Sequence, residues 1–233
     1  MLKQSELEWG PAQARRIISL LERQYPHART RLVYSDPFQL LVAVLLSAQT
    51  TDEQVNRITE KLFAVAPTPQ HMARFQPEEL EPYLRGCGLY RNKSRYLVEA
   101  SRKIVQDFGG RVPDNFADLL SLPGIGRKSA NVILSVAFGK PALAVDTHVF
   151  RVARRLGLAS GKSPEEVEAE LKAILPPEKW GQAHHWLIAH GRAVCKARNP
   201  RCGQCILRGC CRWFHTGRDK KKEKQGIRRS ARD

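Results

Sequence analysis

Apolar residues recur along this chain at helical spacing, and stretches of strict apolar–polar alternation are scarce, so the pattern predicts helices almost throughout. A first helix is expected over residues 11–25, with Ile17, Ile18 and Leu21 on its apolar side. Asp36-Pro37 supplies a cap followed by proline at the first helical position. The helix it opens, residues 38–46, is apolar on nearly every side and is predicted to lie at the centre of a helical core. Val55, Ile58 and Leu62 mark the next helix, after Thr51-Asp52. Pro67 and Pro69 read as a break, and Pro77-Glu78-Glu79 opens another short helix. Residues 93–108 carry Leu97, Ile104, Val105 and Phe108 as a stripe that Gly109-Gly110 closes. Further helices are expected over residues 115–122, 127–138, 146–157, 163–175 and 180–190, the fourth opened by the Ser163-Pro164-Glu165-Glu166 capping box. No internal repeat interrupts the series, and the predicted fold class is all-α.

Composition adds a partner. The 233 residues carry a formal net charge of +16 and a pI near 10.0. Residues 218–233 account for +5 of this, leaving +11 on the remaining 217 residues, so the body is basic in its own right and suits a polyanion such as nucleic acid. The terminal segment itself is Lys/Arg-rich low complexity and is expected to be disordered. No apolar segment follows a basic start at the N-terminus, and the longest aliphatic run, residues 40–46, is too short to span a bilayer. Six cysteines without a secretion signal argue against a disulfide framework. A cytoplasmic protein, nucleoid-associated if bacterial, is therefore expected, with no membrane partner.

Four of those cysteines define candidate chemistry. Cys195, Cys202, Cys205 and Cys211 are separated by six, two and five residues, so one short loop delivers four sulfurs to one place. Such a set suits an iron–sulfur cluster. A structural zinc also takes four thiolates, but usually from two short-spaced pairs, and only Cys202 and Cys205 form one here. Buried, metal-free or paired cysteines are the remaining reading. Cys210 adjoins Cys211 and is an alternative fourth ligand; Cys87 has no assigned role.

The second signal is Leu122-Pro123-Gly124-Ile125-Gly126 between two helical segments. Glycines on either side of one apolar residue allow a tight turn whose backbone N–H groups meet the positive end of the next helix, a geometry suited to a phosphate oxygen. Arg127 and Lys128 add charge there; the plain alternative is an ordinary turn between packed helices. A lysine at a helix N-terminus sits in an unfavourable field for a cation, which favours the neutral, nucleophilic amine. A phosphate-contacting charge is the competing role for Lys128. Asp146 before Thr-His-Val-Phe is a natural helix cap, which also holds its carboxylate in one place. The His184-His185 pair reads as structural.

LPGIGRKSANVIL followed by AVDTHVFRVARRLGL resembles the helix–hairpin–helix and Gly/Pro–Asp region of the endonuclease III family of DNA glycosylases. The cysteine spacing is similar to that family's iron–sulfur loop, and LLSAQTTDEQVN, GLYRNKS and HHWLIAHGR resemble its other segments. The resemblance runs over residues 11–214. It implies one [4Fe–4S] cluster on Cys195, Cys202, Cys205 and Cys211, with Cys211 preferred to Cys210 because it preserves the family's gap. It implies Lys128 as catalytic amine, Asp146 as catalytic carboxylate, and Gly124, Ile125, Gly126 and Arg127 as the DNA-binding hairpin. Gln49, Leu89 and His148 match positions that fill the gap in the duplex and contact the opposite strand.

The implied architecture is two helical domains flanking a DNA cleft. One is a six-helix barrel over residues 30–140, with its hairpin motif near 115–138; the other is a discontinuous iron–sulfur domain from residues 1–29 and 141–217. The basic tail, residues 218–233, is additional to the family pattern. The implied activity is removal of oxidised pyrimidines from double-stranded DNA and cleavage at abasic sites, by a monomer. A base inside a duplex is out of reach, so the target must be flipped out. The cluster then reads as a brace for a loop whose Lys196, Arg198, Arg201 and Arg208 face phosphates, not as the chemical engine. Rival readings are the same scaffold acting on adenine or mismatched thymine, and a non-catalytic DNA-binding module. Deleting the residues after Arg218 is expected to weaken duplex binding and flatten its dependence on salt, measured as the slope of log K against log salt.

Overall fold

The computed structural model describes residues 10–216, so the expected disorder of the basic tail lies outside the described residues. Those residues are helical, with no strand among them. The chain divides into two compact units, Arg29–Ala144 and a discontinuous one drawn from Met1–Ala28 and Val145–Asp233.

The contiguous unit is built around α2 (Pro37–Leu46). Asp36 Oδ1 accepts from the Gln39 N–H at 2.9 Å, and Pro37 occupies the first turn. Phe38 and residues 40–46 are all 5% exposed or less. Burying each such side chain favours folding by about 1.5–3 kcal/mol, which no one-sided helix could gain along its whole length. α3 (Asp52–Val65), α6 (Tyr90–Asp107) and α8 (Arg127–Ala137) pack against it. α3 contributes Val55, Ile58 and Leu62, the residues the periodicity picks out.

Two boundaries differ from expectation. Pro67 and Pro69 do not simply break the chain, because Thr68 caps α4 (Pro69–Arg74) by accepting from the His71 N–H, and Pro69 opens it. α5 (Pro77–Leu84) follows with Glu79 accepting from the Gln76 N–H at 2.6 Å. α6 begins at Tyr90 and not at residue 93, since Leu89 adopts a left-handed conformation immediately before it.

α7 (Phe116–Leu120), capped by Asn115, leads into the tight turn before α8. Gly124 has φ +79°, and a Cβ there would lie 2.9 Å from Tyr96 Cβ and 3.1 Å from Leu45 Cδ1. Both backbone sterics and packing therefore demand glycine.

In the discontinuous unit, α11 (Trp180–Ala193) packs on α1 (Pro11–Gln24) and on α9 (Thr147–Leu156). α11 runs past residue 190, the end expected from the sequence. α10 (Pro164–Ile174) starts where Ser163 Oγ accepts from the Glu166 N–H at 3.2 Å. The cysteine loop holds single 3₁₀ turns at Cys202–Gln204 and Arg208–Cys210, then α12 (Arg212–His215).

Replacing Gly124 with alanine forces a Cβ onto Tyr96 and Leu45 at positive φ. The Gly124→Ala protein is expected to lose at least about 1–2 kcal/mol of stability, measured by urea unfolding followed by circular dichroism.

Candidate functional site

The hairpin turn closes with the Ile125 N–H donating to Leu122 O at 3.1 Å. Ile125 is only 5% exposed, so its side chain belongs to the core and only its backbone faces outward chemistry. Gly126 is different. It caps α8 in extended geometry that any residue adopts, and nothing lies within 4 Å of where its Cβ would be. The fold leaves this backbone edge open at the positive end of α8, where an anion is favoured. Arg127 stands beside it, its guanidinium 5.2 Å from the centre of the Phe116 ring. Lys128 sits half-buried in the first turn of α8.

Asp146 caps α9, with Oδ1 accepting from the Val149 N–H at 2.7 Å. The cap uses one carboxylate oxygen and fixes the group's direction. One turn along, Arg151 Nη2 lies 3.1 Å from His148 Nδ1. A guanidinium only donates, so Nδ1 accepts and the imidazole proton sits on Nε2. Burial pulls the His148 pKa down, Asp146 pulls it up, and Arg151 and Arg192 push it down again.

Gln49 and Leu89 share an unusual backbone. Both have left-handed φ, +56° and +58°, although neither is glycine, and both side chains are exposed, Leu89 by 59%. An apolar side chain held out into solvent by a strained residue is a candidate wedge.

In the cysteine loop, Cys195, Cys205 and Cys211 feel one another. Burial raises the Cys205 thiol, and Cys195 raises it further. Burial pushes Cys211 up to about 11, with Cys195 and Cys205 adding to the rise. Cys210 is also buried and donates to Leu207 O at 3.4 Å; burial raises its thiol, the Arg16 cation lowers it and Cys205 raises it again. Among the described residues, no group of three or more His, Cys, Asp or Glu side chains stands ready to hold a single metal ion. The donor set nevertheless fits a thiolate-bound centre, because thiolates gathered close enough to repel one another are the groups that a bound cationic centre would neutralise.

Groups that spacing did not pick out hold this loop. Arg151 Nε donates to Cys195 O at 3.2 Å, and Arg155 donates to Lys196 O at 2.7 Å and Ala197 O at 3.1 Å. Arg155 Nη1 also reaches Cys195 Sγ at 3.6 Å. His190 is held down to about 4 by burial and is neutral; Tyr25 Oη lies 3.1 Å from its Nδ1, and its Nε2 is 3.7 Å from Cys205 Sγ. Lys196, Arg198, Arg201 and Arg208 are exposed. His184 is buried, its ring edge-on to His185 at 5.0 Å, as suits a structural pair.

Lys93 is the other group passed over. It is 4% exposed, and its amine bridges the segment carrying Gln49 to the loop carrying Leu89. Its signal was its register: it shares α6's buried face with Leu97, Ser101 and Ile104, where a cation needs partners.

A model of the HhH-GPD superfamily of base excision DNA repair proteins matches residues 42–177. Endonuclease III of Escherichia coli (strain K12) is 47% identical over 197 residues, covering 84% of this chain and 93% of that one. Endonuclease III of Bacillus subtilis (strain 168) is 48% identical over 204 residues, covering 87% and 91%. A solved structure of a trapped endonuclease III–DNA covalent intermediate superposes with a TM-score of 0.86 at 44% identity, covering 89% of this chain and 98% of that one.

Burial holds both His148 and His185 below the usual histidine value of 6.5. The unfolded chain therefore binds these protons first, and their stability contribution is complete above 6.5 and lost as pH falls through the folded-state values. Urea midpoints are expected to fall on acidification below pH 6.5, and the His148→Gln protein should show a shallower decline.

Proposed function

The chain belongs to the HhH-GPD superfamily of base excision DNA repair proteins, among the endonucleases III, and from that premise we propose how its residues divide the work. It is a DNA glycosylase with abasic-site lyase activity. The observation that carries the division of roles is the open turn at Gly126 with Lys128 in the first turn of the helix that follows.

In this reading, the Gly124–Gly126 backbone and Arg127 hold a phosphate of double-stranded DNA, and an oxidised pyrimidine is flipped from the stack. Leu89 and Gln49 occupy the space it leaves, and His148 offers its Nε2–H to the strand. Lys128 Nζ attacks the sugar C1′; the C–N bond to the base breaks, and the base leaves with the bonding electrons and takes up a proton. Opening of the sugar ring gives the protonated Schiff base. Loss of a proton from C2′ then drives its electrons into a C2′–C3′ double bond, and the C3′–O bond breaks to expel the 3′ phosphate. Water finally hydrolyses the imine and returns the amine. Asp146, held by its own helix cap, stabilises the positive charge that develops on the sugar and helps to activate the amine.

Cys195, Cys202, Cys205 and Cys211 would hold one [4Fe–4S] cluster. When bound, that group would tie the four cysteine thiolates to one centre and so brace the loop bearing Lys196, Arg198, Arg201 and Arg208 against phosphates. Residues 30–140, and residues 1–29 with 141–217, act as the two domains of a monomer.

Borohydride should trap a covalent adduct with abasic duplex DNA, and the Lys128→Ala protein should form none; an adduct of full yield there overturns the assignment. Asparagine caps a helix as well as aspartate does. The Asp146→Asn protein is therefore expected to keep its melting temperature while single-turnover excision slows by about 10²–10⁴-fold.

A further inference from the structure

Lys93 lies at the start of α6, yet its amine is taken out of water. Nζ is 2.9 Å from Leu46 O, 2.5 Å from Ala48 O, 3.2 Å from Thr50 Oγ1 and 3.0 Å from Cys87 Sγ. A lysine ammonium only donates and carries three N–H bonds, so these four acceptors share three donors. Leu46 ends α2, and its carbonyl belongs to the set that a helix leaves without a partner at its C-terminus. A cation is favoured at that end of the helix. The Cys87 thiol donates to the same Leu46 carbonyl at 3.3 Å. One amine therefore joins the segment after α2 to the loop before α6.

Each of those segments carries one of the exposed left-handed residues, Gln49 and Leu89. Such backbone persists only where the surroundings over-determine it. The segments also touch through glycine: a Cβ on Gly88 would lie 3.3 Å from Gln49 O, a tight contact that would press the Gln49 backbone back by a few tenths of an ångström.

We propose that Lys93 is a positioning residue that holds Gln49 and Leu89 as a pair, so that the polar filler and the apolar wedge enter the duplex together. This rests on the reading of those two residues as the groups that fill the vacated stack. Lys93 touches neither the sugar nor the base in this role and acts only through the segments it joins.

The test compares two substrates under single-turnover conditions. One is a duplex with an oxidised pyrimidine paired to a purine, which requires extrusion and filling. The other carries an abasic site opposite a one-nucleotide gap, where no partner base has to be displaced. Lys93→Met keeps the length of the side chain and removes its donors. It is expected to slow excision from the paired duplex by about 10- to 100-fold, the scale of a lost hydrogen-bonded cation, while borohydride trapping on the gapped substrate stays at the wild-type level. Fluorescence of 2-aminopurine placed opposite the lesion should rise on binding of the wild type and not of the variant. Equal loss on both substrates, or loss on neither, overturns the proposal.

Should Lys93→Met fail to fold by circular dichroism, Gly88→Ala decides by the same comparison, because it crowds the Gln49 backbone with the amine intact. Selective loss on the paired duplex supports the pairing of the two segments, and uniform or absent loss refutes it. If the wild type neither excises nor traps, the functional reading fails and this proposal falls with it.

Discussion

Burying α2 on all sides is the constraint from which the contiguous unit follows. A helix apolar around nearly its whole circumference has almost no face to offer water, so α3, α6 and α8 pack around it. The consequence is felt at its ends as much as along its length. Its N-terminus needs Asp36 to satisfy an amide, and its C-terminus needs donors for carbonyls withdrawn from solvent. Lys93 and Cys87 supply those donors, which is why a cation sits within an otherwise apolar face of α6.

The same economy recurs wherever this chain places candidate chemistry: the groups sit at helix ends. Gly126 and Lys128 open α8, Asp146 opens α9, Leu89 opens α6, and Gln49 lies between α2 and α3. Helix ends carry unsatisfied backbone groups and a field, and they are fixed by the packing of the helices behind them. A carboxylate that caps is already oriented, at no further cost in side-chain freedom. The cysteine loop has little regular structure of its own and obtains its order from Arg151 and Arg155 of α9, which take up the carbonyls of residues 195–197.

Much of this was legible in the residues. The α2 run, the caps at Asp36, Ser163 and Asp146, the turn at Gly124 and the cysteine spacing are local features, decided by propensity, capping and sterics over a few positions. Endonuclease III relatives at 47–48% identity agree with the fold and activity those motifs implied. The break expected at Pro67 and Pro69 does separate α3 from α4, but the helix that Pro69 opens was missed because it depends on Thr68 as its cap. The start of α6 was misplaced because left-handed leucine is not a choice that propensity makes.

What the sequence determined by itself was most of the helices, the hairpin turn, the spacing of the four cysteines and the sign of the partner's charge. Only the tertiary structure decided that Ile125 turns inward while Gly126 stays open, and that Lys93 is buried against Leu46 and Cys87. The reason is physical. Propensity and capping act over a few residues along the chain, whereas a buried amine is tolerated only where residues more than forty positions away bring acceptors to it.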